Sequence, residues 1–163
     1  MLLGEYRHTI DSKNRVIVPV KLREMGGPDK LWSTFILTRG TENCIFVYTP
    51  EAWERLARSL IQDASLPSEQ LRRFERTFSA AATYCTCDAQ GRIVLPDKLR
   101  AHAGLKRDVV WLGVIDRAEL WDADRWEAYE REHMASFEAT FEEIVKRVQQ
   151  TRGVVPPGHD AGG

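Results

Sequence analysis

The chain has 163 residues, with 23 Lys plus Arg against 24 Asp plus Glu and a formal net charge of −1. That length suits one domain or two small ones with a real core. The near-neutral total excludes a chain that binds polyanions over its whole surface, so any such partner meets a local patch.

Charged residues make up 29% of the chain and mean hydropathy is −0.38. No apolar run approaches the roughly 20 residues of a membrane span, and no apolar leader follows Met1. Cys44, Cys85 and Cys87 are too few and too unevenly numbered for a disulfide framework. Together these point to a soluble protein of a reducing compartment with no membrane, metal or cofactor.

The first elements are a strand, a turn and a second strand. Asp11 to Arg15 is the turn, and Val16-Ile17-Val18 is a β-branched run that favours a strand. Pro19 stops it and suits the first position of a short helix over Lys21–Arg23. Phe35–Thr38 and Ile45–Tyr48 flank Arg39-Gly40-Thr41-Glu42-Asn43, a hairpin pattern. Thr49-Pro50 then caps a helix carrying Trp53, Leu56, Leu60 and Ile61 on one face. Leu66-Pro67 breaks it, and Ser68 caps a second helix with Leu71, Phe74 and Phe78 on its apolar face.

The next stretch repeats the first. Asp88 to Arg92 aligns with Asp11 to Arg15, Ile93-Val94-Leu95 with Val16-Ile17-Val18, and Pro96-Asp97-Lys98-Leu99-Arg100 with Pro19-Val20-Lys21-Leu22-Arg23. Val109–Leu112 and Glu119–Trp121 flank Asp116-Arg117 as a second late hairpin. Asp122 caps a helix with Trp126 where the first copy has Trp53. The first copy has a short insertion, placed around Gly26-Gly27-Pro28-Asp29. Asn14 and Gly91 share one turn position, where both residue types tolerate positive φ. Asp11 and Asp88 have the turn role of accepting backbone N–H groups.

One last helix is predicted from near Asp124 to about Gln150. Met134, Phe137, Phe141, Ile144 and Val148 make an apolar stripe on it that faces either its own core or a partner. The tail from residue 151 to 163, with Pro156-Pro157 and four glycines, reads as disordered. The expected organisation is a first repeat over 5–52, a helical connection over 53–80, a second repeat over 81–124, a C-terminal helix over 125–150 and that tail.

These paired motifs resemble the MraZ family of bacterial regulators. They are Gly4-Glu5-Tyr6 with Asp11-x-x-x-Arg15, Leu37-Thr38-Arg39-Gly40, the Trp53 helix, Asp88-x-x-Gly91-Arg92, and Ile115-Asp116-Arg117 through Leu120-Trp121-Asp122. The resemblance runs from about Gly4 to Trp126. It implies a mainly β, α+β fold: two SpoVT/AbrB-like halves forming one double swapped-hairpin β-barrel, plus a long C-terminal helix. It further implies binding to double-stranded DNA at promoter direct repeats near the division and cell-wall genes, its own promoter included. The implied location is the cytoplasm and nucleoid, and the implied assembly a homo-oligomeric ring of about 8 to 12 subunits. Asn14 departs from the glycine usual in the first motif, and Ala89-Gln90 has no base where Ser12-Lys13 does.

Charge separates the two copies. Residues 5–23 hold five bases against two acids, residues 82–100 three against two, and residues 122–163 five against nine. A localised basic face on a neutral chain fits a DNA site. Arg15, with Lys13 and Asn14 on the turn, is placed to read bases. Arg7, Lys21 and Arg23 suit phosphates. Arg92 either contacts DNA or is structural.

No nucleophile elbow, phosphate loop or metal-ligand spacing is present, so an enzyme is not expected. The alternative is an antitoxin-like protein of AbrB type with a toxin partner, although such chains usually carry a single hairpin copy.

Overall fold

The structure, a computed structural model, describes residues 2–24, 31–62 and 68–153. The expected insertion at 26–29, the break at Leu66-Pro67 and the tail from 154 onward lie outside them. The chain divides into two compact units, Met1–Trp126 and a second beginning at Glu127. Both repeats belong to the first.

The elements run in the expected order. They are β1 (Glu5–Thr9), β2 (Arg15–Ile17), α1 (Val20–Arg23), β3 (Thr34–Arg39), β4 (Ile45–Tyr48), α2 (Pro50–Gln62) and α3 (Ser68–Ala81). The second copy then supplies β5 (Thr83–Thr86), β6 (Arg92–Val94), α4 (Asp97–Ala103), β7 (Asp108–Val114), β8 (Arg117–Asp122), α5 (Ala123–Met134) and α6 (Phe137–Gly153).

The copies interleave. A six-stranded antiparallel sheet has the order β1-β7-β8-β4-β3-β5, and β2 pairs with β6 in a separate two-stranded ladder. The first strand of each copy therefore leaves its own hairpin to pair with the other copy, β1 with β7 and β5 with β3. β4 and β8 join the halves at the centre, with Phe46 opposite Glu119. This exchange pairs edges that a single small copy would leave open. The ladders end at β1 and β5, so they do not by themselves close the expected barrel. Each end strand leads through a tight turn into the β2–β6 ribbon.

Alternation explains the core. Val16 and Ile93 face inward from the ribbon and are 1% and 0% exposed. Leu37, Ile45, Trp111 and Leu120 fill the space beneath the large sheet. Cys85 is buried and Cys87 packs partly against the same cluster. The three thiols are free. Burial pushes Cys85 up to about 11 and raises the thiols of Cys44 and Cys87.

The caps follow the sequence closely. Thr49 Oγ1 accepts the Ala52 N–H at 3.2 Å, and Asp122 Oδ1 accepts that of Arg125 at 3.4 Å. The aromatic pairs repeat as well. Tyr48–Trp53 and Trp121–Trp126 are both edge-on, with centroids 5.7 and 5.6 Å apart. α3 closes over α2 by stacking Phe78 on Trp53 at 5.2 Å.

Two details differ from expectation. Pro19 and Pro96 stand one residue earlier, as N-caps with extended ψ of 137° and 132°. Pro19 O accepts the N–H groups of Leu22 and Arg23, and Pro96 O those of Leu99 and Arg100. The single C-terminal helix is two helices. Ser136 donates both its hydroxyl and its backbone N–H to His133 O, an alternative to the helical ladder that breaks it there. On α6, Phe137, Phe141, Ile144 and Val148 are exposed.

Leu120 is fully buried at the β7–β8–β4 junction between the copies. Leu120→Ala should cost about 2–5 kcal/mol in urea unfolding, with both copies melting in one transition. Separate transitions would contradict the shared core.

Candidate nucleic-acid interface

Each copy builds its first hairpin around one carboxylate. Asp11 Oδ1 accepts the backbone N–H groups of Lys13 and Arg15, both at 2.9 Å, and Oδ2 accepts Arg15 Nε at 2.7 Å. Asp88 does the same with Gln90, Arg92 and Arg92 Nε at 2.9, 2.9 and 2.8 Å. The Asp-x-x-x-Arg spacing thus places an acceptor, two turn donors and a guanidinium in one closed motif. The backbone N–H of the arginine, then its side chain and the other turn N–H, hold each carboxyl below the usual aspartate range.

The turns are then tied across the copies. Asn14 O accepts the Leu95 N–H and Gly91 O that of Val18, both at 2.9 Å. Asn14 and Gly91 have φ of 58° and 76°, as their residue types suggested. Arg100 from α4 donates Nη1 to Asn14 Oδ1. At the equivalent place, Arg23 from α1 puts its Nη1 where a Cβ on Gly91 would sit. Each copy's short helix therefore braces the other copy's hairpin with an arginine. This accounts for the departure at Asn14. One turn offers its brace a side-chain oxygen, and the other offers it empty space.

The ribbon between the turns has a distinct outer face. Arg15 lies opposite Val94, and Ile17 opposite Arg92. Val16 and Ile93 point inward, so the alternation turns Arg15, Ile17, Arg92 and Val94 outward. Ile17 and Val94 are 42% and 60% exposed. They were not among the residues picked out from the sequence. The signal was the period of two through Arg15 and Arg92, which puts any residue two positions away on the same face.

The predicted cations divide by location. Lys13 is exposed at the turn and makes no ion pair among the described residues. Arg15 and Arg92 stand at diagonal corners of the ribbon, each leaning on its aspartate, and Arg92 Nη2 also reaches Gln90 Oε1 at 3.1 Å. Arg7, on β1, pairs with Glu5 at 3.0 Å, and Lys21 with Glu24 at 3.1 Å. Both pairs are exposed and leave their charges near solvent. Arg23 is turned inward. Its Nε is buried with no hydrogen-bond partner among the described residues, and its guanidinium lies against Cys87 and the Gly91 turn. Its placement fits a brace better than the phosphate contact expected of it. Among the described residues no cluster of three His, Cys, Asp or Glu side chains could hold a metal, and no helix is long and apolar enough to cross a membrane.

The chain matches the family described as "MraZ protein, putative antitoxin-like" twice, over residues 1–77 and 78–148. It belongs to the MraZ family. Similar proteins include one from Caldanaerobacter subterraneus, 42% identical over 91% of this chain and 96% of its own length. Another, from Ligilactobacillus salivarius, is 45% identical over 89% of this chain and 97% of its own. A third, from Natranaerobius thermophilus, is 44% identical over the same shares. All three are named "Transcriptional regulator MraZ". The two matched halves are the two copies that interleave in the fold.

Two outcomes follow from the turn geometry. Gly91→Ala puts a methyl onto the Arg23 guanidinium at a positive φ, and should lower stability by about 1–3 kcal/mol in thermal melts. Because Asp11 and Asp88 have folded pKa values below their unfolded ones, their stabilisation is complete above about pH 4 and is lost as pH falls through the lowered values. A carboxylate NMR titration should find both midpoints below that of an ordinary aspartate. Ordinary values would refute the closed motif.

Proposed function

We propose that this protein is a sequence-specific DNA-binding transcriptional regulator that reads its operator with the β2–β6 ribbon. The observation that carries the reading is the outer face of that ribbon. A two-stranded antiparallel ribbon fits the major groove of B-DNA. Here it carries two arginines at diagonal corners and two exposed aliphatic side chains between them. Arginine can pair with guanine O6 and N7, and an aliphatic group can meet a thymine methyl. The aspartate bond to Nε holds each guanidinium in one orientation, which reduces the ordering cost of a base contact. Lys13 and Asn14 at the turn, with Arg7 and Lys21 beside the ribbon, supply further polar and phosphate contacts.

The name shared by the similar proteins supports a regulator and not an enzyme. The family resemblance extends the proposal to the promoter of the division and cell-wall genes, to the nucleoid, and to a ring of protomers. Two unlike halves in one chain give a protomer without true two-fold symmetry, and head-to-tail contact between such protomers repeats one orientation. The DNA boxes are then direct repeats about 10 bp apart, so that each ribbon meets the same face of the duplex.

The second reading, an antitoxin-like DNA-binding protein with a toxin partner, rests on the family's printed description. A nuclease co-purifying with the chain would favour it. Two full hairpin copies weigh against it.

Gel shifts on the gene's own upstream DNA test the main reading. Arg15→Ala should lose about 1–3 kcal/mol of specific binding, and Arg15→Lys should recover little of it, because the fork and not the charge reads guanine. Melting curves control for any loosening of the turn. If a folded Arg15→Ala protein bound like the parent, the ribbon would not be the reading element.

A further inference from the structure

The internal repeat supplies its own control for what surrounds each hairpin. Ile10, at the end of β1, donates its N–H to Arg107 O at 2.8 Å, and Cys87, at the end of β5, donates to Ser33 O at 2.6 Å. Thr9 pairs with Asp108 and Thr86 with Thr34. Arg107 and Ser33 are thus structural equivalents, as are Lys106 and Trp32. On the turns themselves Ser12 faces Ala89 in the comparison, and Lys13 faces Gln90.

The first corner holds an open cleft of about 480 Å³ whose lining includes Asp11, Ser12, Asn14, Arg100, Lys106 and Arg107. Three cations line it against one carboxylate, and that carboxylate already accepts two turn N–H groups and Arg15 Nε. Arg107 is exposed and makes no ion pair among the described residues. Arg100 is held at the cleft by Asn14 and Asp97, and Lys106 by Asp124. At the second corner the described equivalents of Ser12, Lys13, Lys106 and Arg107 are all neutral.

We propose that the cleft beside the first hairpin is a phosphodiester site. It clamps one backbone phosphate of the bound duplex through Arg107, with Arg100 and the Ser12 hydroxyl beside it, and among the described residues the second hairpin has no counterpart of Arg107 or Ser12. This rests on the DNA-binding reading above. The chemistry is that of backbone contacts generally: a cation and a hydroxyl at the edge of a reading element fix its register without reading sequence. With a clamp at only one of two similar hairpins, each protomer grips the duplex in one direction.

The test uses Arg107→Ser, which installs the side chain that the second copy tolerates at the same backbone position. Arg107 holds Ile10 through its carbonyl, so the substitution leaves that bond in place. Arg55→Ser on α2 removes a charge elsewhere as a control. Affinity is measured by fluorescence anisotropy from low to moderate salt, on the gene's upstream duplex and on a scrambled duplex of equal length.

Arg107→Ser should weaken both duplexes by a similar factor and make the log affinity against log salt slope shallower by about 1 per bound protomer, leaving the ratio between duplexes unchanged. Arg55→Ser should match the parent. An unchanged slope in Arg107→Ser, or an equal change in Arg55→Ser, overturns the clamp while leaving the ribbon reading intact. A parent that does not prefer its upstream duplex overturns the DNA reading, and the clamp with it. Titration of the free protein with inorganic phosphate separates the remaining source. Saturable binding of phosphate alone, with the DNA slope unchanged in Arg107→Ser, would assign the cleft to a free anion and overturn the diester proposal.

Discussion

A single carboxylate organises each hairpin. Asp11 and Asp88 gather two backbone donors and a guanidinium apiece within five residues of chain. Without that acceptor the turn N–H groups would have only water, and the arginine would swing freely. With it, the turn closes tightly enough for its own carbonyl to reach the other copy, as Asn14 O does to Leu95 and Gly91 O to Val18. The ribbon depends on those two bonds and on the inward pair Val16 and Ile93. A local motif of five residues thereby sets a contact between segments far apart in the chain, and the interleaved sheet follows from it.

The braces add a second layer. Arg100 and Arg23 come from the short helices that follow each Pro, and each crosses to the opposite turn. They solve the same problem by different chemistry. Arg100 satisfies an amide oxygen, while Arg23 fills the space that a missing side chain leaves. The two turns have thus diverged without losing their shared backbone path, because φ near +60 to +76° is open to both asparagine and glycine.

Most of the framework was legible because its causes are local. The aspartate turns, the caps at Thr49 and Asp122 and the short β-branched strands all rest on interactions within a few residues, and the repeat showed each of them twice. The interleaving was also legible in outline, since one copy is too small to bury its own core. Long-range packing was not. Arg23 reads as an exposed basic residue in a basic stretch, and only the fold reveals that the Gly91 turn lies over it. Ile17 and Val94 read only as members of short β-branched runs until the pairing of β2 with β6 fixes which face is outside. The break between α5 and α6 was missed because the apolar spacing runs through it, whereas the cause is a serine bonding back to its own chain.

An internal repeat within one chain permits something that a homodimer of single hairpins cannot have. In a symmetric dimer every substitution appears at both corners, so a cation gained on one side is gained on the other. Here position 107 carries arginine and its equivalent at 33 carries serine, while 13 carries lysine and 90 glutamine. The first hairpin and its flank therefore carry more charge than the second, which keeps Arg92 on its outer face. Under the proposed reading, a ribbon nearly symmetric in backbone but flanked by more charge on one side would have a direction on DNA. Direction is what a row of identical protomers needs if each is to meet the same sequence in the same sense. Under the proposed DNA reading, the asymmetry in side chains, and not the shape of the ribbon, is the feature that would connect this fold to direct repeats.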